Sequence, residues 1–296
     1  MWKRILYCIG IVAVIIWLWI STPVIIWARG ELPPKEIEFP IDCCKDTVLG
    51  GMDSMISCGD LAENVTLFGW AMVDADLENP NRYSCYILRG EAHCYELQGK
   101  GRVFRRPDLE LYFPDKNVPK NVAYDLKGNF SLLGMEDGLY KVYIKCWENE
   151  NHYGLVDTGV WIKKDGSNIE KYEWRAEPCK GLTVTEETPC IGNIDYSWIK
   201  DGYFMFGGFA LVDNIESSQS KIYAELTDEA GNTVTYKTNP LLRKDISEVF
   251  NDTRYIDCGY SVQLPTNELS DGKYTLRLLV ENGKRVWASQ PFDLQK

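Results

Sequence analysis

The amino-acid sequence predicts an all-β protein: two tandem antiparallel β-sandwiches placed after one N-terminal transmembrane helix. Three observations predict it. An apolar run lies close to the N-terminus, the rest of the chain repeats one pattern, and apolar residues alternate with period two inside each copy.

The run from Ile5 to Ala28 is interrupted only by Gly10, Ser21, Thr22 and Pro23. At roughly 1.5 Å per residue, a helix over residues 5–28 can cross a bilayer core of about 30 Å. Trp17, Trp19 and Trp27 lie toward its outer end, where amphipathic rings favour the headgroup layer. Residues 1–4, with Lys3 and Arg4, form a basic tip, so the expected topology is a single-pass signal anchor in the cell membrane. Its N-terminus is cytoplasmic and the bulk of the chain extracytoplasmic. A cleaved leader is the competing reading; the run is long for one, and Val24 to Gly30 offers no good pair of small residues for cleavage. Residues 29–39, with Pro33 and Pro34, read as a short stiff stalk.

Beyond the stalk the chain is written twice. Cys44-Lys45, Cys58, Phe68-Gly69, Ala71-Met72-Val73-Asp74, Arg106-Pro107-Asp108, Phe113 and Asp137-Gly138-Leu139-Tyr140 form the first copy. Cys179-Lys180, Cys190, Phe206-Gly207, Ala210-Leu211-Val212-Asp213, Arg243-Lys244-Asp245, Phe250 and Asp271-Gly272-Lys273-Tyr274 form the second. Ala71 to Asp108 spans 37 residues and Ala210 to Asp245 spans 35, so the spacing is preserved with small slips. Each copy must then be one folding unit, here expected at 40–165 and 179–296, joined by a linker at 166–178.

Period-two runs rich in Val, Ile, Tyr and Phe mark strands in the second copy at residues 203–212, 221–226, 233–238, 260–264, 274–281 and 286–294. In the first copy they fall at 65–73, 82–88, 93–97, 129–133, 140–147 and 155–162. Asp228 to Asn232 and Asn282-Gly283 supply the residues tight hairpins need. Leu109 to Phe113 and Ile246 to Phe250 read as short helical turns crossing between sheets. Roughly a hundred residues holding six or seven antiparallel strands is the size of an immunoglobulin-like β-sandwich.

On Gly69-Trp70-Ala71 and Gly208-Phe209-Ala210, each followed by Arg-x-Asp and Asp-Gly-x-Tyr, the chain resembles the tandem immunoglobulin-like modules of bacterial envelope and surface-polysaccharide-associated proteins. The resemblance covers most of residues 58–163 and 190–294. It implies a wall-facing or glycan-contacting accessory module and no catalytic domain.

Nine cysteines follow the anchor, and an exported position permits disulfides. The duplication nominates Cys44 with Cys58 and Cys179 with Cys190, while Cys85 and Cys94 flank Gly90 in an apparent hairpin and form a third candidate pair. Zinc is the rival reading, but no Cys-x-x-Cys or neighbouring His has ligand spacing, so no metal or other cofactor is expected. Asp74 to Asn79 imitates the start of a calcium loop, yet Asn79 stands at its glycine position and Cys85 at its final glutamate position.

Charge excludes one class of partner. Of the 32 basic residues, Lys3, Arg4 and Arg29 lie at the anchor, so the outer part sets 29 against all 43 acids, a formal −14. Such a surface repels phosphate backbones, and nucleic acid is not an expected partner. His93 and His152 are the only histidines, and the chain carries no nucleophile elbow, phosphate loop or zinc-protease helix.

The candidate ligand-binding residues are therefore the repeated pairs Arg106 with Asp108 and Arg243 with Asp245, and two tryptophans in connecting segments, Trp174 and Trp198. A guanidinium and a carboxylate two apart on an extended segment share a face and could address a sugar; the plainer reading is a structural pair pinning the crossover. Flat indole rings suit sugar faces, though sandwich cores also use tryptophan. The expected function is non-enzymatic binding or organisation of cell-envelope components, foremost polysaccharide. Adhesion to a protein partner and glycan-directed catalysis are the alternatives.

Overall fold

The computed structural model describes residues 10–17, 32–57, 63–74, 83–98, 107–114, 124–125, 128–149 and 151–296. Gly10 to Trp17 are helical; the rest of the expected anchor lies outside the described residues. Among the described residues no helix is long and apolar enough to cross a membrane. The remaining structure is predominantly antiparallel β, and the chain divides into two compact units, Met1–Glu38 with Lys45–Tyr172, and Phe39–Cys44 with Glu173–Lys296.

The first unit contains β1 (Lys35–Glu36), β2 (Val48–Ser57), β3 (Asn64–Val73), β4 (Tyr83–Arg89), β5 (Cys94–Glu96), helix α1 (Pro107–Tyr112), β6 (Tyr124–Asp125), β7 (Gly128–Ser131), β8 (Gly138–Asn149), β9 (His152–Asp165) and β10 (Asn168–Tyr172). One sheet runs β1-β5-β4-β8-β9-β10; the other is β2-β3-β6, with β7 also on β3. Their inner faces share a core that includes Val65, Leu67 and Ala71 from β3, Tyr86 and Leu88 from β4, and Tyr140, Val142 and Ile144 from β8. Part of the expected linker is thus strand: β10 folds back on β9 with Asn168 opposite Asp165.

The second unit contains β11 (Pro178–Cys179), β12 (Ile191–Lys200), β13 (Tyr203–Leu211), β14 (Lys221–Asp228), β15 (Thr233–Lys237), β16 (Asn239–Leu241), helix α2 (Lys244–Phe250), β17 (Gly259–Pro265), β18 (Lys273–Asn282), β19 (Arg285–Ala288) and β20 (Phe292–Gln295). The sheet β11-β15-β14-β18-β19, with β20 on β18, faces β12-β13-β17-β16 across a core built on Phe204, Phe206, Tyr260, Leu276 and Leu278. Each such side chain, fully buried, contributes about 1.5–3 kcal/mol relative to exposure, which is why the alternation in β13, β17 and β18 decides the fold.

Two repeated sequence features acquire physical meaning. Asp-Gly-x-Tyr turns a strand into the sheet: Tyr140 and Tyr274 each donate their phenolic hydroxyl, at 2.8 Å, to the carbonyl four residues earlier, on Glu136 and Ser270. A lysine closes the same corner in each unit, Lys164 against Asp137 at 3.0 Å and Lys296 against Asp271 at 3.2 Å. The second repeated feature is a bulge. The edge strands β2 and β12 each carry one extra residue, Asp53 between Met52 and Ser54 and Asp195 between Ile194 and Tyr196. Opposite them stand Gly69 and Gly208, where a Cβ would press into the backbone carbonyl oxygens of Gly51 and Asn193.

The cysteine expectations need correction. Cys179 and Cys190 are thiols, and no bridge joins them. Cys190 belongs to the main core of the second unit and donates its thiol to the Leu278 carbonyl at 3.6 Å, whereas Cys179 packs with Tyr223, Leu279 and Val286 on the opposite face of the same sheet. Cys94 is likewise a thiol, so it is not bridged to Cys85: the register sets Cys94 opposite Arg89, four residues along β4 from Cys85, or about 13 Å. Cys44 is buried, and its expected partner Cys58 lies outside the described residues. Burial pushes the thiols of Cys94, Cys190 and Cys258 up to about 12.

Removing the corner hydrogen bond by Tyr274→Phe should cost about 1 kcal/mol, read as a lower urea midpoint at unchanged slope. Under native conditions a thiol reagent should label half-buried Cys179 well before Cys94, Cys190 and Cys258, as peptide mass spectrometry would show. A Cys179–Cys190 cross-linked peptide would contradict the structure.

Candidate ligand-binding face on the second unit

The outer surface of the sheet β12-β13-β17-β16 is laid out by its register. Directly opposite residues in antiparallel strands share a face. Lys200, Tyr203 and Pro265 form one row; Trp198, Met205 and Gln263 the next; Tyr196, Gly207, Ser261 and Asn239 the third. Phe209 and Gly259 follow, and beyond them the face is covered by α2, whose Ile246 packs with Leu211, Tyr255 and Cys258. One end of the face is roofed by the crossover and the other is open.

Gly207 makes the open end possible. A Cβ there would lie 2.5 Å from the Tyr196 hydroxyl and 2.7 Å from its ring, so the phenol crosses the strand where no side chain stands. Burial pushes the Tyr196 phenol up, opposed by its hydrogen bond with Ser261. Trp198 stacks on Tyr196 with ring centroids 4.4 Å apart and planes 19° from parallel, while 49% of its surface stays exposed. Asn239 donates its amide to the Ser261 hydroxyl at 3.1 Å, completing a polar margin.

Arg243 fixes the roofed end. Its Nε and Nη2 donate to the two carboxylate oxygens of Asp245 at 2.8 and 2.7 Å, and its Nη1 donates to Asp195 at 2.5 Å. The guanidinium carbon lies 5.7 Å from the centre of the Phe209 ring, and Gly259 leaves room for its stem, since a Cβ there would stand 2.6 Å from Arg243 Cγ. The Asp245 hydrogen bonds raise the Arg243 pKa, and the same contacts hold the Asp245 carboxyl below its ordinary 3.8. With two carboxylates already on it, Arg243 pins the crossover to the bulge. Its partner Asp195 was not among the residues singled out from sequence, although Gly-x-x-Asp stands at the matching place in both copies, Gly50 to Asp53 and Gly192 to Asp195.

The other candidates fall elsewhere. Asp108 lies in α1, and Arg106 is outside the described residues. Trp174 is turned inward against the core of the second unit, since Trp174 and Ala176 alternate with outward Arg175 along a segment bonded to the Gln263 carbonyl. The first unit has the equivalent bulge but a different face: Ser54 replaces Tyr196, Ile56 replaces Trp198 and Phe68 replaces Gly207, while Trp70 meets Phe113 at 5.9 Å where α1 packs. Among the described residues its most deeply buried charge is Lys141, fully enclosed and 2.6 Å from Asp157. Among the described residues no three His, Cys, Asp or Glu side chains are grouped to hold a metal. Compared with models of known protein families and with curated protein sequences, the chain matches none.

Because the Asp245 pKa is lowered in the folded state, its contribution is present above the unfolded value and lost as pH falls through the folded one. Asp245→Asn should therefore lower the urea midpoint at pH 7, and the gap from wild type should narrow below about pH 4.

Proposed function

We propose that this chain is a single-pass, extracytoplasmic, non-catalytic protein whose second unit holds a cell-envelope polysaccharide on the Tyr196–Trp198 face, and that both outer units are immunoglobulin-like β-sandwiches. The stacked pair carries the reading: an indole lying on a phenol, half exposed on the outside of a sheet, with Ser261, Asn239 and Gln263 beside it. A sugar presents an apolar C–H face that packs on such a ring and hydroxyls that meet polar side chains at its edge. A flat strip along a sheet, open at one end, suits a polymer that continues beyond the contact. Supporting the anchor, Ile11, Val12, Val14, Ile15, Ile16 and Trp17 all stand exposed on the described helical turns. A helix apolar all round requires an apolar surrounding. Supporting the sandwich class, the hydroxyl-to-backbone bonds of Tyr140 and Tyr274 resemble the tyrosine corner of immunoglobulin-like domains.

Adhesion to a protein is favoured by a separate observation. The crossover helices expose apolar side chains in both units, Leu111 and Tyr112 at 83% and 78%, and Val249 at 78%. The two readings part in one experiment on the full-length protein in detergent. A glycan array should show retention of envelope polysaccharide, lost about tenfold or more in Trp198→Ala and unchanged in Ile56→Ala at the matching place in the first unit. Absence of glycan binding, with a defined protein captured through Leu111 and Tyr112, would replace the first reading by the second.

A further inference from the structure

The row beyond Trp198 is cationic. Lys200 stands two residues further along β12, about 7 Å, on the same face, and directly opposite Tyr203. Lys200 is exposed and has no carboxylate partner among the described residues. Arg175 approaches from the segment beside β17 and lies 5.8 Å above the Tyr203 ring. Its one ion pair among the described residues, with Glu173 at 3.9 Å, is exposed on both sides, so an incoming carboxylate can displace it. The acids near this end are Glu173, the turn residue Asp201 and Glu268, whose N–H bonds to the Pro265 carbonyl, while Asp195 is already held by Arg243. Two available cations beside a stacking ring are out of keeping with a chain whose formal charge is −11.

Resting on the glycan-binding reading, we infer that the bound polysaccharide is acidic: one sugar stacks on Trp198, and the carboxylate of that sugar or its neighbour is met by Lys200 and Arg175. The overall negative charge repels acidic polymers elsewhere, so these two side chains set both where such a chain lands and its direction along the face. A lysine at the end of an edge strand also discourages strand-to-strand association, a role that needs no ligand and that the test separates.

The test uses full-length protein in detergent and matched polymers, namely polygalacturonate, alginate and hyaluronate, each beside its carboxyl-reduced neutral derivative. At least one acidic polymer should bind tenfold or more tightly than its reduced form, and its affinity should fall as salt is raised. Lys200→Gln and Arg175→Gln should each cut that affinity about three- to tenfold and leave binding of the reduced form unchanged, whereas Trp198→Ala should weaken both forms. Equal binding of acidic and reduced polymers, or acidic binding unaffected by both cation substitutions, overturns the inference while leaving the glycan reading in place. Failure of every polymer, acidic and reduced, with folding verified by near-ultraviolet circular dichroism, overturns both.

Discussion

One additional residue in an edge strand governs the second unit. Without Asp195 the alternation that turns Ile194 toward the core would turn Tyr196 and Trp198 inward with it. The bulge shifts the register by one, so the residues after it face the other way and the two aromatic rings come to the outside. The same residue supplies the carboxylate that meets Arg243, tying the crossover before α2 to the strand carrying the rings. Gly208 permits the bulge because nothing larger fits against the Asn193 carbonyl. Crossover and exposed face therefore rest on a single insertion with its glycine and its arginine.

The duplication separates what the scaffold requires from what one copy has added. Bulge, opposing glycine, corner tyrosine and corner lysine recur in both units; the first three shape or bind backbone, and the fourth pairs with the corner aspartate. The outward row does not recur. Phe68 fills the place that Gly207 leaves open, and Ser54 and Ile56 stand where the rings would be. Two units that share these devices thus carry different surfaces.

Much of this architecture was legible beforehand because burial imposes period two on strands such as β8, β13 and β18 and breaks it at turns. β12 escaped for a definite reason: Ile194 and Tyr196 sit two apart and yet face opposite sides, so simple alternation misreads the strand at its bulge. Arg243 with Asp245 was visible as a pair, but Asp195 lies 48 residues away from Arg243 and only the fold joins them. Trp198 was visible as a residue suited to exposure, whereas Trp174, in a similar polar setting, is turned inward by the segment bonded beside β17. Inferring bridges from repeated cysteines failed because repetition preserves position in the chain, while bridging requires the same face of a sheet, which Cys179 and Cys190 do not share.

Three thiols of the second unit show how its layers are filled. Cys179, Cys190 and Cys258 occupy three separate apolar clusters, where each acts as a small space-filling group. No covalent cross-link among them has to be made or reshuffled before these layers close. The layers that hold these three thiols thus close on packing alone, with no bond to be formed between one of them and another.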